Sequence, residues 1–387
     1  MKGFPMSDGS AYFLYHSIGQ YPGKSQDLSR AMAEFGAVWG ACDDGQWGYA
    51  LGRREAFLER WRTILNAPEG SVTTCESVTQ GFHALLTALP ARYLEGKRVL
   101  VAADCFPSNH FLLSGLAQRL GFTLDTVPMR QGAAWVEPED FLDRWGPDVG
   151  VALLTWVSST SSHRLDLAPL VAHGRRMGSL IGVDVTQAAG LLPYDCQDPL
   201  VDFTISTSLK WMCGTPGAGI LQVAPALIGE CEPEVRGWFS QDNPFNWDIT
   251  KFGFAPDIRR FDSGTPGIVA ALASLPALDW HAGQDQAALL AHNRDLTALI
   301  LEAASEMGLD LVTPRPEARR GGSVMLRLPD HQPAPALVAS LREEGITTDA
   351  RGQVLRLSPG AVTTGEGLQR LLAALRRRLR PERRAAI

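Results

Sequence analysis

Short apolar runs alternating with helix-periodic segments constrain this chain more than any other feature. Arg98-Val99-Leu100-Val101-Ala102, Val149-Gly150-Val151-Ala152-Leu153-Leu154-Thr155 and Leu180-Ile181-Gly182-Val183-Asp184 all have strand length. Helical spacing near 109–120 and 167–177 separates them, and Thr123-Leu124-Asp125-Thr126-Val127 adds a further strand. This alternation predicts an α/β fold with a mainly parallel sheet. Ligands of such sheets bind beyond the carboxyl ends of the strands. Thr155 and Asp184 occupy two of those ends.

The flanks have a different texture. Residues 1–50 read as an irregular N-terminal arm rich in Gly and aromatics, packing on the small domain or at a site entrance. Helical periodicity is expected from Arg53 to Leu65 and again over Gly81–Leu89. Beyond about 270, helices are expected near 271–307, 335–344 and 365–379, with strands at Ser323–Leu328 and Gln353–Leu357. The organisation expected is therefore an arm over 1–50, a large domain over 51–270 and a smaller α+β domain over 271–387.

A chain of 387 residues with 45% hydrophobic and 20% charged residues can supply cores for two domains. Its net charge of −6 is a poor footprint for nucleic-acid binding. The basic cluster Arg376, Arg377, Arg378, Arg380, Arg383 and Arg384 reads as the cationic end of a last helix. The six cysteines form no C-x-x-C pair and no metal-ligand spacing, as expected of reduced thiols in a cytoplasmic protein. Neither a signal peptide nor a membrane span is expected.

The chemistry concentrates around Lys210. It follows the alternating run Thr204-Ile205-Ser206-Thr207-Ser208-Leu209 and precedes the turn Gly214-Thr215-Pro216-Gly217-Ala218-Gly219. That turn fits neither the phosphate-loop order nor the dinucleotide fingerprint. A lysine among hydroxyls, downstream of a strand-end carboxylate at Asp184, is what pyridoxal 5'-phosphate (PLP) requires. The amine forms the Schiff base, and the carboxylate keeps the pyridine nitrogen protonated.

With the runs Cys75-Glu76-Ser77-Val78-Thr79-Gln80-Gly81, Phe106-Pro107-Ser108-Asn109-His110, Gly237-Trp238-Phe239 and Ser263-Gly264-Thr265-Pro266, the chain resembles the fold-type-I PLP enzymes over about 10–375. Within them it is similar to the aminotransferase class V and kynureninase group. The resemblance implies a mainly parallel, seven-stranded-type sheet in a large domain, beside a smaller α+β C-terminal domain. It implies that Val78, Thr79, Thr207, Ser208, Trp238 and Thr265 hold the phosphate region. Phe106 would stack on the ring, Ser159 and Gln187 would meet its phenolic edge, and Arg356 would clamp the substrate α-carboxylate. His16, in Tyr15-His16-Ser17-Ile18-Gly19, would face the substrate, with His110 and His163 as further candidates. Thr265 implies a homodimer with shared sites.

The resemblance is uneven. Gln187 stands where kynureninases have His, Leu209 where they have Tyr, and Ser159 in place of their Tyr pair or the Asn of transaminases and desulfurases. Asn109 replaces an Asp. No cysteine follows Cys231, which argues against desulfurase chemistry. The expectation is a PLP-dependent enzyme acting on a free α-amino acid, with transamination slightly preferred. The alternatives are kynureninase-like Cβ–Cγ hydrolysis, β-elimination, or a PLP-binding regulatory protein without turnover.

Overall fold

Strand β4 of the main sheet, Val149–Thr155, is buried along nearly its whole length, as its near-continuous apolar sequence requires. The computed structural model describes residues 9–379. In chain order the elements are α1 (Lys24–Trp39), α2 (Gln46–Leu65), β1 (Val72–Cys75), α3 (Val78–Ala88), β2 (Arg98–Ala102), α4 (Pro107–Leu120), β3 (Thr123–Val127), α5 (Pro138–Leu142) and β4. Then follow α6 (Leu167–Met177), β5 (Leu180–Asp184), β6 (Phe203–Thr207), β7 (Gly219–Val223), α7 (Pro225–Ile228), α8 (Val269–Ala282) and α9 (Gln286–Glu306). The chain closes with β8 (Asp310–Leu311), β9 (Val324–Arg327), α10 (Ala334–Glu343), β10 (Asp349–Arg351), β11 (Val354–Leu357) and α11 (Gly365–Arg378).

The seven-stranded sheet has the order β1-β7-β6-β5-β4-β2-β3. The pairs from β6 through β5, β4 and β2 to β3 are parallel, and β7 runs antiparallel to both β6 and β1. The Gly/Pro turn after Lys210 is thus the reversal that brings the chain back as β7. Local chemistry sets the helix ends. Ser77 Oγ accepts from Gln80 N at 3.2 Å to cap α3. Pro107 opens α4 at a position where a missing N–H costs nothing. Asp285 caps α9 through Ala287 N and Ala288 N. A second, four-stranded antiparallel sheet, β10-β11-β9-β8, lies against α9, α10 and α11.

Two of the core clusters divide the main sheet from the small one. Phe57, Trp61, Leu154, Val183 and Leu278 belong to the first, and Ile300, Leu326, Leu355 and Leu371 to the second. A third, with Phe82, Val101, Leu153 and Phe203, fills the main sheet's other face. The expected boundary at 271 falls inside α8, which packs on α1 and α2. The sequence changes clusters within α9, between Leu290, which packs on the first, and Leu296, which belongs to the second.

Part of the expected irregular arm is helical: α1 occupies Lys24–Trp39, and α2 begins at Gln46 rather than near Arg53. None of the α1 residues is fully buried, so its apolar stripe is thin. Ala31 and Phe35 still pack on Ala50 and Leu272. The arm proper spans the two clusters: Ala11 and Phe13 enter the second, Tyr15 and Tyr21 the first. Bridges at Tyr12–Thr347 and Leu14–Ser358 hold it along the small sheet.

Among the described residues no helix is long and apolar enough to cross a membrane. Arg376, Arg377 and Arg378 end α11 in ion pairs with Glu306 and Glu344, as the helix-end reading expects. Arg380, Arg383 and Arg384 lie outside the described residues.

Candidate active site

The carboxyl ends of β4, β5 and β6 open into a cavity of about 390 Å³. Lys210, Asp184, Phe106, Ser159, Gln187 and Thr207 line it, and Val78 and Thr79 line it from the first turn of α3. Eight of the residues singled out in the sequence thus converge on one space. A larger cleft of about 730 Å³, bordered by Trp156, His163, Arg164 and Tyr194, contains none of the cofactor residues expected above.

Asp184 ends β5 and is only 5% exposed. Its Oδ1 accepts from Thr186 N at 3.0 Å, and its Oδ2 accepts from Asn109 Nδ2 at 3.2 Å. The Asn that replaces the family's Asp therefore braces the carboxylate. Lys210 Nζ sits 5.2 Å from the centre of the Phe106 ring. Burial pulls its pKa down to about 8; Asp184 opposes that shift, while Arg356 and Arg351 add to it. An amine in this range exchanges its proton near neutrality.

The backbone of the lysine loop is fixed by the arm. Gly19 N donates to Leu209 O at 2.9 Å. A Cβ on Gly19 would lie 1.8 Å from Lys210 O, so only glycine permits this approach. Gln187 joins the same two segments: its Nε2 donates to His16 O at 3.0 Å, and its Oε1 accepts from Trp211 Nε1 at 3.3 Å.

Several polar atoms of the cavity wall have no partner among the described residues. Thr155 Oγ1, Ser159 Oγ and Thr186 Oγ1 are buried in this way. Such groups call for a bound polar molecule. The donor set also fits PLP by position. The N-terminus of α3 presents unpaired N–H groups for a phosphate, with the Thr79 and Thr207 hydroxyls nearby. Asp184 suits a pyridinium, the Phe106 ring suits stacking, and Ser159 and Thr155 suit a phenolic oxygen.

Three expected cofactor contacts fall elsewhere. Ser208 is fully buried and accepts from Trp61 Nε1 at 3.1 Å, so it braces α2 and does not line the cavity. Trp238 packs on Phe239 and Trp247, and Thr265 is exposed; neither lines the cavity within this chain. His110 bonds Thr126 Oγ1 at 3.1 Å, and His163 stacks on Trp135, both away from Lys210.

His16 and Arg356 meet through Asp349, a residue the sequence reading missed. His16 Nε2 lies 2.9 Å from Asp349 Oδ1, and its Nδ1 lies 2.6 Å from Ser358 Oγ. Arg356 Nε donates to Asp349 Oδ1 at 2.8 Å, and a second guanidinium nitrogen pairs with Oδ2. Burial lowers the pKa of His16, against the pull of Asp349. Asp349 is drawn down to about 2: His16 and Arg356 together outweigh its burial. The one hint in the sequence was the alternation Asp349-x-Arg351 before Leu355-Arg356-Leu357.

Comparison with known proteins agrees with this geometry. The model of the family described as aminotransferase class-V matches residues 53–358. A kynureninase from Deinococcus radiodurans is 34% identical over 276 residues, covering 70% of this chain and 64% of that protein. The chain thus spans under two thirds of that relative's length. A kynureninase from Pseudomonas fluorescens is 27% identical over 361 residues, covering 90% and 83%. Among solved structures, a cysteine desulfurase from Escherichia coli superposes with a TM-score of 0.84 at 19% identity, covering 97% and 96% of the two chains. A cystine C–S lyase variant with glycine covalently linked to its PLP cofactor gives 0.85 at 21%, covering 96% and 97%. At these identities the structural likeness is one of fold.

Proposed function

Because the chain belongs to the aminotransferase class-V family and is a PLP-dependent enzyme of that class, we propose that it cleaves a free α-amino acid beyond Cβ, in the manner of kynureninases. One observation carries the catalytic part. A buried-site lysine with its pKa lowered to about 8 faces an aromatic ring and a braced carboxylate in one cavity. The cleavage part is supported by the relatives named kynureninase and by the runs Phe106–His110 and Gly237–Phe239.

PLP, when bound, supplies an electron sink for bonds broken at the substrate Cα. Lys210 would hold its aldehyde carbon, Asp184 its ring nitrogen, Phe106 its ring face, and the α3 N-terminus with Thr79 and Thr207 its phosphate. Lys210 Nζ is the base available for the substrate Cα proton, a task matched to a pKa near the working pH. Asn109 and Thr186 keep Asp184 oriented throughout. Arg356 offers the guanidinium edge not used by Asp349 to a substrate carboxylate. His16, held neutral by burial, lines that side without adding charge. Water must then complete the cleavage.

Trp238 and Thr265 act across a homodimer interface in this reading, since both lie outside their own chain's cavity. Transamination is the second reading, favoured by Gln187, which cannot titrate near neutrality as a histidine would.

The deciding experiment uses the PLP-reconstituted protein with kynurenine and a panel of amino acids. Alanine and an aromatic acid from kynurenine support cleavage. Keto acid with conversion of the cofactor to its amine form supports transamination. A colourless chain after reconstitution, with nothing fixed by borohydride, overturns both.

A further inference from the structure

β10 and β11 pair antiparallel, with Asp349 opposite Arg356 and Arg351 opposite Val354. Side chains two apart on a strand share a face, so Asp349, Arg351 and Arg356 all stand on one side of this hairpin. On that side Asp349 is fully committed: both its oxygens take N–H groups from Arg356, and Oδ1 also meets His16. The Arg356–Asp349 pair is electrically neutral. Arg351 is exposed and has no ion pair among the described residues. Its charge nevertheless reaches the site, because Arg351 and Arg356 both disfavour the charged form of Lys210. The hairpin therefore sets two guanidiniums and one carboxylate on one face, with both guanidiniums within electrostatic reach of the lysine, and the uncompensated positive charge belongs to Arg351.

We propose that Arg351 is a substrate-recognition residue that binds a carboxylate of the amino-acid substrate. This rests on the proposed amino-acid chemistry. The division of labour follows from geometry. Arg356 is 7% exposed and locked by Asp349, so it contributes a directed N–H edge. Arg351 contributes the net charge, on a planar fork that pairs bidentately with a carboxylate. The bound carboxylate is either the α-carboxylate shared with Arg356 or a second one on the substrate side chain. Both sources share one chemistry, and two ligands separate them.

The test titrates wild type, Arg351→Ala and Arg351→Lys with propionate and with succinate. Calorimetry reads the binding in the full-length chain before PLP reconstitution, and the visible cofactor band reads it afterwards. Loss of one charged contact is expected to weaken binding about tenfold or more in Arg351→Ala, with part of it kept in Arg351→Lys. The melting temperature should not move, because Arg351 is exposed and unpaired. Equal losses for the two ligands place the α-carboxylate at Arg351. Loss only of the succinate advantage places a side-chain carboxylate there. Unchanged binding of both ligands in Arg351→Ala overturns the proposal, as does a wild-type chain that responds to neither ligand at saturating salt. A chain that binds carboxylates but never acquires the cofactor band retains the Arg351 assignment and sinks the PLP chemistry instead.

Discussion

The two ends of the active site are built on opposite plans. At the cofactor end, single short segments each deliver one group: β5 gives Asp184, the turn after β6 gives Lys210, the start of α3 gives Thr79, and the start of α4 gives Phe106. Its hydroxyls at Thr155, Ser159 and Thr186 are left unsatisfied. At the carboxylate end, two segments remote in sequence, the arm and the β10–β11 hairpin, close a network of His16, Asp349, Arg356 and Ser358. The first end is prepared for a ligand that stays. The second is self-sufficient without one and so can let a substrate come and go.

The largest break expected is at Lys210. Lys210→Ala should lower turnover by about 10³-fold, the scale of a lost general base, and abolish borohydride-fixed cofactor. Asp184→Asn should lower kcat by about 10²-fold or more while the cofactor still binds, because the phosphate and ring-stacking groups remain. Asp349→Asn probes the other end. It should raise KM by about tenfold with a smaller change in kcat, since it disturbs Arg356 and His16 but not Lys210. Equal kcat losses in the two carboxylate variants would show that the ends do not act separately.

Gln187 is the joint between them. Gln187→Ala leaves the carbonyl of His16 and the indole N–H of Trp211 without partners, and should cost about 1 to 3 kcal/mol in a denaturant titration. The smallest effect is a matter of pH. In the cofactor-free chain Lys210 gives up its proton at about 8 when folded, against 10.5 when unfolded. Between these values the unfolded chain holds more protons, so stability rises with pH. Lys210→Met should be more stable than wild type near neutrality, and the gap in melting temperature should shrink as pH rises through that window.

The same contrast explains what the sequence disclosed. β2, β3, β4 and β5 match their expected limits residue for residue: β2, β4 and β5 are mostly apolar runs of strand length, and β3 alternates apolar with polar residues. Lys210, Asp184 and Phe106 could be singled out because their neighbours in sequence are also their neighbours in space. Asp349 stayed silent because its role exists only after β10 meets β11 and the arm arrives from 333 residues away. Helix α1 escaped because its contact with α8 relies on a few residues such as Ala31 and Phe35, too sparse to stand out as a periodicity. Ser208 illustrates the opposite case: it is a hydroxyl beside the lysine, yet it follows the last residue of β6 and accepts from Trp61 Nε1. The preference for transamination rests on two positions, Gln187 and Thr265, whereas the likeness to a kynureninase extends over 361 residues.

The arm that runs from Ala11 to Gly19 lies along the small sheet and ends with its glycine pressed on the carbonyl of the lysine. For anyone preparing this protein, the front of the chain is therefore not spare length. Trimming it to improve expression would strip Ala11 and Phe13 from the small sheet's core and loosen the loop that carries the reactive amine. A bulky fusion placed close to Ala11 would press on the small sheet and on the lysine loop together.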